Sequence, residues 1–269
     1  MMMSSSIRKE EFRIDLDHGL TLPGEVRLRE DATELPILLV AHGFRGFKEW
    51  GFWPYAVNAF AEQGYYTVIF DFSRISAASS KVLDEEGKQA ARTVSQELSD
   101  LHALLDLIQE KRLPLAAAAD TTKVILLGHS RGGASSILAA AEREDVSAVI
   151  AWNAPANLQP QAGADPFLSE DAARNAERYH VPRKLASLQK PALIVQGTED
   201  QVRVLEGYQA LQDAAPAQSY ASINGGNHTF GVDHPFAGPT PELDEALNTT
   251  LLFLRRQAGT PQSAASRQA

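Results

Sequence analysis

The sequence contains no cysteine, no long apolar run and no excess of positive charge. Without cysteine, the chain forms no disulfide and offers no thiolate to a zinc or redox site. Because 34 acidic residues outnumber 25 basic ones, for a net charge of −9, neither nucleic acid nor an anionic membrane surface is an expected partner. No stretch reaches the roughly 18 apolar residues of a membrane helix. These absences leave a globular enzyme that acts on a small molecule as the expected class.

The beginning of the chain bears on its compartment. Residues 1–6 are short and polar, and Lys9, Glu10 and Glu11 follow before any longer apolar run. An export signal needs an apolar stretch of about 7–15 residues near this point. We therefore expect a cytoplasmic protein, either a monomer or a homodimer.

The length and texture of the chain predict one domain over residues 1–256. A chain of 269 residues is long for one domain, but single α/β domains reach about 250 residues, and no repeat or long linker divides this one. Residues 155–189 are rich in proline, and a connection of that length is typical of a lid or binding loop. Residues 257–269 have no large apolar side chain, which predicts a disordered tail.

Five nearly continuous apolar runs follow a short hairpin. Residues 11–16 and 24–28 alternate polar and apolar side chains around Gly19 and Pro23, which predicts an antiparallel hairpin with one wet face. The later runs are typical of strands buried on both faces of a parallel sheet. They lie at residues 35–41, 66–72, 124–127, 146–152 and 192–195.

Helical segments lie between these runs. The longest predicted helix spans residues 87–112, where apolar side chains recur at spacings of three and four residues on an otherwise charged segment. Shorter helices are predicted at residues 54–63, 131–143, 205–214 and 241–256. Alternating strands and helices predict an α/β fold with right-handed crossovers and a doubly wound sheet.

One glycine-flanked serine lies where a predicted strand runs into a predicted helix. The run at residues 124–127 leads directly into Gly128-His129-Ser130-Arg131-Gly132-Gly133. Glycines in this pattern permit a tight, strained turn that presents a serine hydroxyl at the carboxyl edge of the sheet. The alternative is a glycine-rich turn whose serine caps the helix. We predict that Ser130 is a nucleophile.

A nucleophilic serine needs a base, and the base needs an acid that orients it. After a turn of this kind, the acid comes first in the chain and the histidine base comes second. Asp200 follows the last of the five apolar runs, and His228 follows the next predicted strand. Both therefore lie at carboxyl ends of strands, where an open α/β sheet places its ligands. Glu199 is an alternative acid and His234 an alternative base, and Asp200 and His228 are the preferred pair.

Two backbone N–H groups are expected to receive the oxyanion of an attacked carbonyl. One belongs to Arg131, directly after the serine. The other belongs to Phe44, in the sequence His42-Gly43-Phe44 that ends the first long strand. A plain glycine turn is the alternative interpretation of this second segment.

Aromatic residues are concentrated just after this loop, between residues 44 and 55. Most of such a cluster packs in the core, but its position beside the site predicts that part of it lines an acyl pocket. Trp50 is the candidate from this cluster, and Phe167 is the candidate from the lid segment.

With these residues the chain resembles the α/β-hydrolase superfamily, and within it the dienelactone-hydrolase-like and cinnamoyl or feruloyl-esterase-like proteins. The resemblance covers residues 35–255. It rests on His42-Gly43-Phe44, the Gly128–Gly133 motif, Gly197-Thr198-Glu199-Asp200 and Gly226-Asn227-His228-Thr229-Phe230. It implies an α/β-hydrolase fold with about eight strands in a mostly parallel sheet, helices on both faces, a short lid, and neither cofactor nor metal. It also implies functional roles for Ser130, Asp200, His228, Phe44 and Arg131.

Two features depart from the family pattern. Dienelactone hydrolases use a cysteine nucleophile, which this chain lacks, so that activity is not expected. Many relatives also have a glycine-rich loop after the aspartate that ends the fourth strand. Here Asp71 leads instead into a segment of small residues over 73–80, which predicts a differently shaped pocket.

The expected function is hydrolysis of carboxylic esters of short to medium acyl groups through an acyl-enzyme. The polar lid residues offer no broad apolar face for docking on a lipid surface, which disfavours long-chain lipids. An acyl thioesterase or a peptidase would use the same residues, because their geometry does not depend on the leaving group. A hydrolase-fold protein that binds without catalysis is the alternative from a different class.

Overall fold

A computed structural model describes residues 6–160, 163 and 165–258, which are arranged around an eight-stranded sheet. Its strands are β1 (Ile7–Asp15), β2 (Thr21–Arg29), β3 (Leu35–Ala41), β4 (Tyr66–Phe70), β5 (Ala119–His129), β6 (Val146–Trp152), β7 (Ala192–Gly197) and β8 (Ser219–Ile223). They lie in the order β1-β2-β4-β3-β5-β6-β7-β8. From β4 to β8 along this order neighbouring strands are parallel, whereas β2 is antiparallel to both β1 and β4. The predicted fold class is confirmed.

Two of the five predicted buried strands have the predicted bounds. The bounds of β3 and β6 are those predicted, and all seven residues of β3 are buried. β5 is longer than the predicted residues 124–127, because mostly half-exposed or exposed residues extend its beginning and the buried Gly128 and His129 extend its end. The strand predicted over residues 66–72 ends at Phe70, because Phe72 is already the N-cap of the helix that begins at Ser73.

Helices cover both faces of the sheet. The described residues form α1 (Trp53–Glu62), α2 (Ser73–Ala78), α3 (Glu85–Ala90), α4 (Val94–Gln109), α5 (Arg131–Glu142), α6 (Pro166–Arg174), α7 (Val181–Ser187), α8 (Val202–Ala214) and α9 (Pro241–Ala258). Ile37 and Leu39 of β3 pack with apolar residues of α4 and α5, whereas Leu38 and Val40 pack with those of α1 and α9. Successive side chains of a strand point to opposite faces, so the sheet lies between two apolar cores.

The single helix predicted over residues 87–112 is wrong, since the structure has α3 and α4 there. Thr93 separates them with an extended backbone (φ −70°, ψ 159°), and its hydroxyl oxygen accepts the Gln96 N–H at 3.2 Å. Such a contact defines a helix N-cap. The predicted apolar stripe begins only at Val94, so no spacing pattern supported the residues before it. From Val94 onward the stripe is buried as predicted.

The segment predicted as a lid contains α6 and α7, and both are attached to the core. The Asp171 carboxylate of α6 accepts the N–H groups of Val94 and Ser95 at 3.1 and 3.2 Å. These are N–H groups of the first turn of α4, where a negative charge is favourable. Val181 and Leu185 of α7 are buried in the core cluster that includes α5. The function of the segment as a lid stays a prediction.

The structure also describes the predicted loop of small residues and the start of the predicted tail. The predicted loop of small residues at 73–80 contains a short helix, α2, in which Ser73 and Arg74 are buried. α9 extends to Ala258, and the rest of the predicted disordered tail, residues 259–269, lies outside the described residues.

Candidate active site

Ser130 occupies the turn between β5 and α5 in a strained conformation. Its φ of 55° and ψ of −129° lie in a sparsely populated region for a residue with a side chain. The flanking glycines are required by close packing: a Cβ on Gly128 would lie 2.2 Å from the Gly132 carbonyl oxygen, and one on Gly132 would lie 2.4 Å from that of His42. The motif therefore lets the strand, the helix and the neighbouring loop approach one another around the half-buried Ser130.

Side chains from three separate strand ends meet at this hydroxyl. His228 Nε2 lies 2.9 Å from Ser130 Oγ, and His228 Nδ1 lies 2.8 and 3.0 Å from the two carboxylate oxygens of Asp200. Asp200 follows β7, and His228 follows β8. Glu199, the alternative acid, is exposed, and its N–H donates to the Gly226 carbonyl at 2.8 Å. The structure thus brings Ser130, His228 and Asp200 together.

His234, the alternative base, lies elsewhere. Its Nδ1 accepts the Gly51 N–H at 3.1 Å, and its ring is stacked on Trp50 with a centroid distance of 6.3 Å. The predicted substrate contact Trp50 is half-buried and also packs edge-on against Phe52. This stacking shows Trp50 as part of an aromatic cluster, and its contact with an acyl group stays a prediction.

The environment of Asp200 keeps its carboxyl group ionised. Burial acts to raise the pKa of Asp200, but the hydrogen bond and charge of His228 outweigh it and lower the pKa below its ordinary value. The Gln201 N–H at 2.6 Å and the Gln196 amide at 3.0 Å donate to the same carboxylate. Because an ionised carboxylate only accepts hydrogen bonds, the proton of His228 lies on Nδ1. Nε2 is then the acceptor that faces the Ser130 hydroxyl.

The loop predicted to donate to an oxyanion lies against the serine. A Cβ on Gly43 would be 3.1 Å from the Ser130 Cβ, so Gly43 lies beside the serine. Arg131 is the first residue of α5, and the N–H groups of a first helical turn have no partner within the helix. The Phe44 ring is half-buried beneath the Arg131 guanidinium, 3.8 Å from its carbon to the ring centroid.

A family model for the Alpha/beta hydrolase family matches residues 37–252. The chain belongs to that family. Solved structures of similar fold include Est1E from Butyrivibrio proteoclasticus with bound ferulic acid, at 24% identity and a TM-score of 0.70, covering 92% of this chain and 99% of that one. Another is the esterase domain of a Rhodothermus marinus protein, at 19% identity and a TM-score of 0.66, covering 94% and 100%. No curated protein shows a significant match in sequence.

A dienelactone hydrolase from Anabaena variabilis is also similar, at 19% identity and a TM-score of 0.63, covering 93% of this chain and 98% of that one. At such identities the likeness shows the α/β-hydrolase fold, and hydrolase is the broad class that family membership supplies.

Within this α/β-hydrolase fold, Asn153 ties the strand ends together and was not predicted from the sequence. It is fully buried directly after β6, with a φ of 48°. Its side-chain oxygen accepts the Gly197 N–H at 2.8 Å, and its amide nitrogen donates to the His228 carbonyl at 2.9 Å. His129 Nε2 lies 2.7 Å from the same carbonyl. Burial lowers the pKa of His129 to about 3, so His129 is neutral and donates from Nε2.

The signal for Asn153 was its position at the carboxyl end of a buried strand. A second unpredicted residue, Glu97, is 1% exposed although it is charged. It lies three residues after Val94 and four before Leu101, and this spacing places it on the buried stripe of α4. A carboxylate on an apolar stripe was the signal that could have identified it.

Phe167, the second predicted substrate contact, is the second residue of α6 and is half-buried. The Phe167 N–H donates to the carboxylate of Asp165, the N-cap of the helix, at 2.9 Å. A contact between Phe167 and substrate stays a prediction. Among the described residues, no group of three or more histidine and acidic side chains is arranged to hold a metal ion. In the same part of the chain, no helix is long and apolar enough to cross a membrane.

Proposed function

We propose that this protein is a serine hydrolase that cleaves carboxylic esters of short to medium acyl groups through an acyl-enzyme. The observation that carries the proposal is the continuous hydrogen-bonded series from Asp200 through His228 to Ser130. A serine hydroxyl becomes a nucleophile when a base takes its proton and a third group orients that base. An ordinary helix-capping serine would need neither partner.

The proposed reaction begins with attack of Ser130 Oγ on the acyl carbon while its proton passes to His228 Nε2. The carbonyl oxygen becomes an oxyanion that accepts from the Phe44 and Arg131 N–H groups. Collapse of this intermediate releases the alcohol, which takes the proton from His228. Water then attacks the acyl-enzyme by the same path and regenerates Ser130. Asp200 stays ionised and stabilises the protonated imidazole throughout.

The proposed substrate class rests on the surroundings of the site. The aromatic cluster at Trp50 and the lid residue Phe167 would bound a compact acyl group. The lid helix α6 exposes mostly polar residues, which offers little area for docking on a lipid surface. Ferulic acid is bound to one of the structurally similar proteins, so an aromatic acyl ester belongs among the substrates to be tested.

The first test is covalent labelling by a fluorophosphonate, measured by intact mass. We expect one adduct on the wild-type protein, because Ser130 Oγ displaces fluoride from phosphorus, and no adduct on Ser130→Ala. Ser99→Ala is the matched control, since Ser99 is exposed on α4 and its hydroxyl bonds only the Ser95 carbonyl among the described residues. A wild-type protein that stays unlabelled would favour the binding protein without catalysis.

The second test compares kcat/KM for p-nitrophenyl esters from acetyl to palmitoyl, methyl ferulate, an acyl-CoA and an aminoacyl anilide. We expect the highest value for an acyl group of short or medium length. Preference for palmitoyl esters or anilides would contradict the proposed substrate class. Preference for acyl-CoA would assign the thioesterase activity instead.

A further inference from the structure

A buried cluster of charges lies behind the predicted oxyanion loop. Glu97 receives hydrogen bonds from two guanidinium groups, one from Arg74 Nη1 at 2.5 Å and two from Arg131, through Nε at 2.9 Å and Nη2 at 2.6 Å. The Ser135 hydroxyl donates to its second oxygen at 2.9 Å. Burial acts to raise the pKa of Glu97, but the charges of Arg131 and Arg74 outweigh it and lower the pKa. Glu97 is therefore ionised.

Such a cluster is not explained by stability. Removing charges from water is costly, and apolar residues of similar volume are often at least as stabilising in its place. The cluster also does not lie in an arbitrary part of the core. Arg74 donates to the loop after β3, and Arg131 is the residue that directly follows Ser130.

Arg74 extends from α2 to the backbone of the oxyanion loop. Its Nη2 donates to the Gly43 carbonyl at 2.8 Å, and its Nε donates to the Phe44 carbonyl at 3.1 Å. The Gly43 carbonyl also accepts from the Gly46 N–H at 3.0 Å and from His42 Nδ1 at 2.8 Å. The Gly43 oxygen thus accepts from three donors, of which the Arg74 guanidinium is the charged one.

This pattern restricts the direction of the Phe44 N–H. The C=O and N–H of a trans peptide point in opposite directions because the unit is planar. With the Gly43 oxygen held toward Arg74, the Phe44 hydrogen points to the other side of that peptide. This peptide lies next to the serine, since a Cβ built on Gly43 would be 3.1 Å from the Ser130 Cβ.

We propose that Arg74 is a positioning residue for the reaction, which directs the Phe44 N–H toward the oxyanion. Glu97 joins Arg74 to Arg131, whose own N–H is the second donor, so one buried carboxylate holds both halves of the oxyanion hole in register. This inference rests on the proposed function, because it concerns how the same site stabilises a developing negative charge. Donors that are fixed before the reaction require no reorganisation when the charge forms.

The test variant is Arg74→Met, which keeps an unbranched chain as far as the position of Nε but removes all of the donors. We expect kcat for a p-nitrophenyl ester to fall about 10–100-fold, since loss of a whole oxyanion donor costs about 10²–10³-fold and a displacement of about 1 Å costs up to about 10². KM should change much less. The rate of Ser130 labelling by a fluorophosphonate should fall in parallel, and the Ki of a boronic acid that forms a tetrahedral adduct should rise by the same factor.

Arg27→Met is the matched control. Arg27 is also mostly buried, also pairs with a buried carboxylate, that of Glu25, and also donates to a backbone carbonyl, that of Pro54 at 2.9 Å. It lies on β2, outside the predicted site. We expect its kcat to stay within about threefold of the wild-type value, with any effect confined to stability.

Arg74→Lys is the second variant, because a lysine keeps the charge and one contact but cannot bond both carbonyls and Glu97 together. Its kcat should lie between those of the wild type and Arg74→Met, and it decides the question if the methionine variant does not fold. A folded variant with unchanged kcat, labelling rate and boronate Ki would overturn the inference, as would a loss confined to KM. Failure of the proposed function is distinguishable, since the wild type would then not be labelled at Ser130.

Discussion

Two substitutions of Asn153 separate the stability that its hydrogen bonds provide from the cost of its strained backbone conformation. Asn153 is fully buried, has a φ of 48° and bonds both Gly197 and the His228 carbonyl. Asparagine tolerates the left-handed region, whereas alanine pays about 1 kcal/mol there. Asn153→Ala therefore loses the hydrogen bonds and adds strain, while Asn153→Gly loses the same bonds without strain.

The expected magnitudes follow from the groups that are left without a partner. The buried Gly197 N–H loses its acceptor in both variants, which costs about 1–3 kcal/mol. The His228 carbonyl keeps the His129 donor at 2.7 Å, so losing its bond to Asn153 costs less free energy than the loss at Gly197. We expect Asn153→Ala to lower the free energy of unfolding by about 2–4 kcal/mol, and Asn153→Gly by about 1 kcal/mol less.

The assay is urea unfolding together with steady-state turnover of a p-nitrophenyl ester. Because both variants lack the amide that holds His228, both should lose kcat to the same extent, about tenfold, although their stabilities differ. Asn58→Ala is the control. Asn58 is a half-exposed residue of α1 whose amide bonds only Glu62 among the described residues, so this substitution should change the free energy of unfolding by less than about 0.5 kcal/mol. Equal stabilities of the two Asn153 variants would refute the strain argument, and an unchanged kcat would refute the positioning argument.

Three further predictions concern single side chains. Ser130→Ala should lose about 10⁴–10⁶-fold in kcat while keeping its unfolding transition, and ester turnover well above background would exclude Ser130 as nucleophile. Asp200→Asn should lose about 10⁴-fold in kcat, far more than Glu199→Gln, and the reverse order would assign the acid to Glu199. Burial raises the pKa of Asp100 from 3.8 to about 6, so the folded protein loses stability relative to the unfolded chain as pH rises from about 4 to about 6, by about 3 kcal/mol. Urea unfolding of Asp100→Asn should therefore show a gain over the wild type that is larger at pH 7 than at pH 4, and a pH-independent difference would contradict the raised pKa.

The fold could be predicted because its signals are local. The run that became β3 is buried along its whole length, and the run that became β6 is buried at every position except Ser147. Such runs are typical of strands between two apolar layers. The helix over residues 87–112 was the exception, because the hydroxyl of Thr93 caps α4 and the apolar stripe begins only after that cap, at Val94. Strand ends were less accurate where exposed residues continued the backbone pairing, as at the start of β5.

Some residues of the candidate site could likewise be predicted from the sequence, and others could not. The pattern of glycines around Ser130, and a carboxylate and an imidazole after two later strands, are legible in the sequence because each belongs to one strand end. The sequence does not determine whether Glu199 or Asp200 contacts His228, since the two are neighbours. The turn after β7 buries Asp200 and exposes Glu199.

The order of the elements and the chemical types available at the carboxyl edge of the sheet follow from the sequence alone, because burial and turn formation depend on residues close together in the chain. Tertiary structure decided the rest. Asn153 reaches the His228 carbonyl across 75 residues, and Arg131 reaches Glu97 across 34. Polar partners of this kind are chosen by the packing of the core, which places two distant residues within hydrogen-bonding distance and excludes water from both.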